Sequence, residues 1–412
     1  MGLTATKYKE TEVGLIPEDW DLVPFDKVFT FHSTSNYSKA QMSDDDEVGC
    51  IHYGLIHEIP DTQYNLKNGI KYYVSSDQAK YDFVRDGDVI MVDASEDLEG
   101  VNKSVEVCGI GNKKYISGLH TYLLRDTNGS LAENFRGILL NSQLVKNQML
   151  QLAVGMKVFG VSKTQLIKVK LPLPPTLTEQ KAIAHVLTDT DVLIQALEKK
   201  ISKKELIKKG VMQKLLTPKE SWEEKSLGEV GEGIIGLTYS PNDVRKNGTL
   251  VLRSSNVQKG QLVFIDNVFV EMDLPERVIV KENDILICVR NGSKRLIGKC
   301  TLIDKKTAGS AFGAFMSVYR SQYSKYVFYV FQSHYIQRQI DEVMGATINQ
   351  ITNKDLNSFV IPFPPAEEQK KIVRTLSDLD IEIQHLIQKK AKYKLAKQGI
   401  IQQLLTGKIR LV

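Results

Sequence analysis

The sequence predicts an α+β protein made of two equivalent halves, each a globular part followed by a long helix, the halves related by pseudo-two-fold symmetry. Three observations predict it. Leu171-Pro172-Leu173-Pro174-Pro175 with Glu179-Gln180-Lys181-Ala182-Ile183 returns as Ile361-Pro362-Phe363-Pro364-Pro365 with Glu368-Gln369-Lys370-Lys371-Ile372. Each copy leads into a long basic stretch with apolar residues three and four apart, closing on Gln213-Lys214-Leu215-Leu216-Thr217 and on Gln402-Gln403-Leu404-Leu405-Thr406. The two tryptophans, Trp20 and Trp222, mark the start of each copy. A repeat of nearly half the chain is too long for a solenoid unit and reads as a duplication.

The offset between copies is 190 at Gly155/Gly345, Ser162/Thr352 and Pro174/Pro364. It is 189 at Gln180/Gln369, Leu187/Leu376, Asp191/Asp380, Gly210/Gly399 and Leu216/Leu405, so one residue was gained or lost between the proline pair and the Glu-Gln pair. At the tryptophans it is 202, which makes the first globular part longer by about twelve residues. The middles have diverged. Asp86-Gly87-Asp88-Val89-Ile90 faces Glu282-Asn283-Asp284-Ile285-Leu286, a shared strand behind an acidic turn, and little else matches. Common ends with variable middles predict one frame carrying two different specificities.

Residues 1–12 are expected to form a loose tail, 13–175 the first globular part, 176–218 the first long helix, 219–365 the second globular part, and 366–412 the second helix with a C-terminal tail. In the first globular part, Val89-Ile90-Met91-Val92, Val105-Glu106-Val107-Cys108 and Tyr122-Leu123-Leu124 predict strands between Gly, Asn and Asp turns. Helix patterns appear at about 131–152. In the second, Thr249–Leu252, Leu262–Ile265 and Ile285–Cys288 predict strands and Tyr326–Val343 a helix. Ser162-x-x-Gln165 and Thr352-x-x-Asp355 have the form of capping boxes before a last strand, which the prolines stop.

The helix stripes read Ile183, Val186, Leu187, Leu193, Ile194, Leu197, Ile201, Ile207, Val211, Leu215 and Ile372, Leu376, Leu379, Ile383, Leu386, Leu395, Ile401, Leu404. At about 40 residues and 1.5 Å per residue each helix reaches roughly 60 Å, and such a stripe needs a partner, most simply the other copy. Ile183, Leu187, Ile194, Leu197, Ile372, Leu376, Ile383 and Leu386 are the expected packing positions. Gly210 and Gly399, at matching points in the stripes, predict a close helix–helix approach or a bend.

At 412 residues the chain is long enough for two or more domains. Its hydrophobic content of 42% and charged content of 25% are those of an ordinary globular protein. A net charge of +5 is compatible with an anionic partner without requiring one. Cys50, Cys108, Cys288 and Cys300 show no close spacing and read as thiols in a reducing compartment. No leader-like segment or apolar run of membrane-spanning length is present, so a cytoplasmic location is expected.

Catalytic patterns are weak. Gly231-x-Gly233-x-x-Gly236 matches a dinucleotide fingerprint by letter without a clear βαβ context, and Gly292–Lys299 departs from a phosphate loop, with Cys300 where Ser or Thr would bind magnesium. His52 and His57 have no third metal ligand nearby. These readings favour recognition or assembly over catalysis, with no metal and no cofactor held by this chain.

The doubled Pro-x-Pro-Pro…Glu-Gln-x-x-Ile…Leu-x-x-x-Asp block, each followed by a long helix ending Gln-x-Leu-Leu-Thr, resembles the specificity subunit of type I restriction-modification enzymes. The resemblance covers Trp20–Thr217 and Trp222–Thr406. It implies two target-recognition domains, an antiparallel coiled-coil spacer, and double-stranded DNA as partner, each domain reading one half of a split site. It further implies two methylation subunits that use S-adenosylmethionine to methylate adenine, and restriction subunits that use ATP and magnesium. A coiled-coil scaffold between two protein-binding domains is the alternative, and a self-sufficient nuclease or methyltransferase the third reading.

Candidate DNA contacts are polar and basic loops. In the second domain these are Arg290, Asn291, Ser293, Lys294 and Arg295, then Arg253, Ser254, Ser255 and Asn256, then Asn349, Gln350, Asn353 and Lys354. In the first they are His52, Tyr53, His57, Asn102, Lys103, His120, Lys157 and Lys163, while Asp93, Glu96 and Asp97 occupy the loop matching Arg290–Lys294 and would repel phosphate. The helix lysines read as a solvated outer face.

Overall fold

A computed structural model describes residues 7–98, 100–344 and 349–411. The chain divides into two compact units: one runs to Glu198 and takes in the chain again from Gln388, and the other is Lys199–Ile387. Each unit holds one globular part with a segment of both long helices, Leu177–Leu215 and Ala366–Leu405.

The central sheet of the first unit has strands in the order Thr30–His32, Thr121–Arg125, Val89–Val92, Ser104–Cys108 and Gln63–Asn65, antiparallel except for the last pair. Successive side chains on a strand face opposite ways. Val89 and Met91 enter the core that holds Phe25, Phe135 and Leu171, while Ile90 and Val92 enter the one that holds Ile51, Val105 and Tyr115. An apolar run without alternation is what a strand covered on both faces requires.

The second unit repeats this plan. Its central sheet runs Glu232–Ile235, Met316–Arg320, Ile285–Cys288, Cys300–Leu302, all antiparallel. Ile285 and Ile287 pack with Tyr319 and Ile361, Leu286 and Cys288 with Val251 and Phe312. A smaller sheet accompanies each: Val48–Ile51 is parallel to Lys114–Ser117, and Thr249–Leu252 is parallel to Ala311–Phe312. The last strands, Lys170–Leu173 and Val360–Phe363, each pair with the strand just after or at the tryptophan turn, Asp21–Pro24 and Glu223–Ser226. The diverged middles therefore share one topology.

The acidic turns explain the one sequence match between those middles. Gly87 and Asn283 occupy equivalent left-handed positions, φ 86° and 69°, a conformation glycine and asparagine accept most readily. The next residues, Asp88 and Asp284, are buried. Asp88 accepts from Arg125 Nε and Nη2 at 2.8 and 2.6 Å, and Asp284 from Arg320 Nε and Nη2 at 2.9 and 2.6 Å. Each carboxylate also accepts the backbone N–H that opens its turn, Arg85 or Lys281, at 2.8 Å.

The Glu-Gln pair is repeated because it locks each helix to its domain. Gln180 and Gln369 donate to the Pro174 and Pro364 carbonyls at 3.4 and 2.9 Å. Glu368 accepts from Trp222 Nε1 at 2.8 Å and pairs with Lys219. Glu179 pairs with Arg410, which lies over the Trp20 ring and also reaches Asp19.

Ion pairs set the helix direction within each unit. In the first, Asp191 pairs with Lys397 and Glu198 with Lys390; in the second, Lys204 pairs with Glu382 and Lys208 with Asp380. Advancing along one helix retreats along the other, so the segments run antiparallel. Ile183, Leu187, Ile194, Leu197, Ile372, Leu376 and Ile383 are buried and Leu386 half-buried.

Several expectations need correction. Tyr8–Thr11, expected in a loose tail, forms an antiparallel hairpin with Gly14–Pro17; residues 1–6 lie outside the described residues. The expected helix 326–343 is two helices, Ser324–Phe331 with His334–Val343, as the helix patterns at about 131–152 are Arg136–Leu140 with Gln143–Leu152. The breaks fall at Ser142 and Ser333, whose hydroxyls cap the second helix of each pair. Beyond Leu262, residues 263–265 are not strand. Leu193, Ile207 and Leu395 are exposed, off the packed seam. At Gly210 and Gly399 an added Cβ would meet nothing within 4 Å, so neither marks a close approach. Gly345, the repeat partner of Gly155, lies outside the described residues.

Candidate nucleic-acid interface

Four loops are tied together in each globular part by equivalent backbone bonds. In the first, the loop after Val48–Ile51 carries His52 and Tyr53. Gly118 N–H donates to Ile51 O at 2.9 Å and Tyr53 N–H to Leu119 O at 3.3 Å, which joins it to the loop carrying His120. Asp93 N–H donates to His120 O at 3.2 Å, and the Asp93–Ser95 loop pairs with Phe159-Gly160. In the second, Gly313 N–H donates to Leu252 O at 2.9 Å, and Val289 and Arg290 N–H both donate to Phe315 O at 3.1 Å. Arg290 bridges to Gln350, and Asn291 N–H donates to Asn349 O at 3.3 Å. His52 thus matches Arg253, His120 matches Phe315, and Phe159-Gly160 matches Asn349-Gln350.

The chemistry on this common frame differs. The first domain presents imidazoles around Tyr53, with ring centroids of His52, His57 and His120 at 4.3, 6.1 and 5.5 Å. Asp93 lies 3.3 Å from His120 Nδ1, and burial pushes its carboxyl up against the opposing pull of that histidine. The second presents Arg290 over the Phe315 ring at 5.1 Å, Asn291 Nδ2 donating to Ser254 Oγ at 3.0 Å, and Arg253 paired to Asp266 at 2.6 Å. Such side chains can donate and accept at base edges.

The other candidates divide. Lys294 faces Asp341 at 3.7 Å and Arg295 is exposed; Ser293 N–H donates to Asn291 Oδ1 at 3.0 Å and braces the loop. Ser255, Lys354 and Lys157 are exposed. Lys103 donates to His57 O at 3.0 Å, and Lys163 lies over Phe31 and Tyr122 at 5.3 and 5.8 Å. Three asparagines leave the face. Asn256 is fully buried, donating to Val263 O at 2.9 Å. Asn353 donates to Gly233 O at 2.7 Å. Asn102 is buried with φ 60°, and neither side-chain atom has a hydrogen-bond partner among the described residues. Sequence reasoning missed Phe315 and Tyr239; the match of Gly118-Leu119-His120 to Gly313-Ala314-Phe315 could have found the former. No group of His, Cys, Asp and Glu that could hold a metal occurs among the described residues, nor any helix long and apolar enough to cross a membrane.

His52 makes this frame pH-sensitive. Burial, reinforced by Lys39, pushes it down to about 4, and its Nδ1 accepts from Gly54 N–H at 3.1 Å, as only the unprotonated nitrogen can. The folded state therefore binds this proton less readily than the unfolded chain. Stability from His52 is complete above about 6.5 and is lost as pH falls towards about 4. Thermal unfolding followed across that window is expected to show a drop that His52→Asn reduces; an equal drop in the variant would contradict this.

Two equivalent α+β heads, each presenting four loops of polar and aromatic side chains and each braced by antiparallel helix segments, define a recognition protein of internally duplicated type. The sequence profile of the type I restriction modification DNA specificity domain matches residues 17–206 and again 219–393, and the chain belongs to that family. It is 29% and 27% identical to two Methanocaldococcus jannaschii chains named as type I restriction enzyme specificity subunits, MjaX and MjaVIII, each over 98% of this chain and 96% of the relative. Its fold is similar to the crystal structure of the type I S subunit of M. genitalium, with a TM-score of 0.57 at 15% identity, covering 97% of this chain and 99% of that one.

Proposed function

We propose that this chain is the DNA-reading subunit of a type I restriction-modification complex and performs no chemistry itself. Each four-loop face reads one half of a split duplex site, and the helices that both units share set the number of unread base pairs between the halves. The observation that carries this is one backbone frame bearing unlike side chains: His52, Asp93 and His120 in one head, Arg253, Arg290, Asn291 and Phe315 in the other. Unlike faces read unlike sequences, so the site is asymmetric.

The helices dock two copies of one methylation subunit. Val192 and Ile381 are 59% and 53% exposed, and Leu206 and Leu395 are both 70% exposed. Each pair stands at the 189-residue offset of the repeat. The first unit contains Val192 and Leu395, and the second Leu206 and Ile381, so each unit offers one apolar residue from each helix. Apolar residues kept outside the seam at equivalent points suit a partner that binds twice. S-adenosylmethionine belongs to those methylation subunits, and ATP and magnesium to restriction subunits that join them.

Salt titration tests the DNA reading against the scaffold alternative. Counterion release predicts that duplex affinity of the complex falls roughly a thousand-fold between 50 and 200 mM salt if about six phosphates are contacted. No duplex binding at low salt would support the scaffold.

A further inference from the structure

A cleft of about 830 Å³ opens in the second domain among the reading loops. It lies within the roughly 300–1,000 Å³ of pockets that bury small planar ligands, and far below what a duplex would need to enter. Phe315 and Tyr239 supply rings on its wall, and Arg253, Ser254 and Asn291 supply polar groups. Phe315 is 55% exposed although wholly apolar, and the Arg290 guanidinium holds it in place.

The charge of the cleft restricts its occupant. Arg253 is neutralised by Asp266. The Lys299 ammonium donates to the carbonyls of Ser254 and Val257. Arg253 and Lys299 are thus both engaged, one by a carboxylate and the other by two backbone carbonyls, which disfavours a nucleotide held by its phosphates. What remains is a neutral planar group with an edge of donors and acceptors. The Asn291 amide beside Ser254 Oγ suits such an edge.

We infer, resting on the DNA-reading function proposed above, that this cleft takes one nucleobase turned out of the duplex and stacks it on Phe315. Bases present a π-face to aromatic side chains and an edge to polar ones. The first domain is built differently at the same place: where the second has Ser254, it has the larger Tyr53, whose ring meets His120 edge-on at 5.5 Å. The turned-out base belongs to the second half-site alone.

The test uses the chain with its methylation subunits and duplexes bearing one mismatch at each position of the second half-site in turn. A mismatch lowers the unpairing cost of a base that must leave the helix, so binding tightens there, while mismatches elsewhere weaken it. The methylated adenine, itself turned out for chemistry, is one such position. The inference predicts a second, at which binding tightens about tenfold. Phe315→Ala abolishes that second effect and leaves the one at the adenine, while Phe315→Tyr retains both. Tightening only at the adenine, or a second effect that survives Phe315→Ala, overturns the inference while leaving the DNA reading intact. Absence of any duplex binding by the wild-type complex overturns both.

Discussion

Asp284→Ala is expected to destabilise the second domain by about 3–5 kcal/mol, and Asp88→Ala the first by a similar amount. Each carboxylate is buried and meets its arginine through two hydrogen bonds. Removing it leaves a largely buried guanidinium without its hydrogen-bonded carboxylate. The turn also loses its acceptor, since Asp284 holds Lys281 N–H and Asp88 holds Arg85 N–H. The loss is a large part of the roughly 5–15 kcal/mol that holds a domain folded. Adding Arg320→Met to Asp284→Ala is expected to recover much of it, because a buried pair exchanged whole for apolar groups is often near neutral. Urea unfolding of the single and double variants measures both; a change under about 1 kcal/mol in Asp284→Ala would show the pair to be dispensable.

The second large effect concerns assembly. Leu206 and Leu395 lie on the outer helix faces, so Leu206→Asp and Leu395→Asp should leave folding unchanged. A charge placed at the centre of an apolar contact removes what a buried anchor contributes, about 100-fold or more in Kd. Each single variant is expected to bind one methylation subunit instead of two, and the double variant neither. Native mass spectrometry counts the copies. Two copies on the double variant would remove these residues from the interface.

The helices were legible because their signals are local: prolines that stop a strand, Glu-Gln at the helix start, and stripes at three and four. The capping boxes were legible for the same reason. The sheets were not, since Thr30–His32 must find Thr121–Arg125, and Glu232–Ile235 must find Met316–Arg320, across long stretches with no shared letters. Arg125 and Arg320, the partners of the one visible match, stand at an offset of 195, one short of the 196 between Asp88 and Asp284, and were passed over. Phe315 was missed at the same offset. The asparagines show the opposite error. An amide that can read a base serves a buried loop equally well, and Asn256 and Asn353 are committed to backbone carbonyls. Burial decides between the two roles, and burial is a property of the fold. At Asn102 the residue type answers to backbone conformation, φ 60°.

The central claim is that one frame holds two independent readers. It is tested most directly by exchanging residues 222–363 for the second domain of another family member and mapping adenine methylation across a genome carrying the chimera. The account predicts that the half of the methylated site read by the second domain changes while the other half and the spacing stay as they were. Both halves changing together would contradict it.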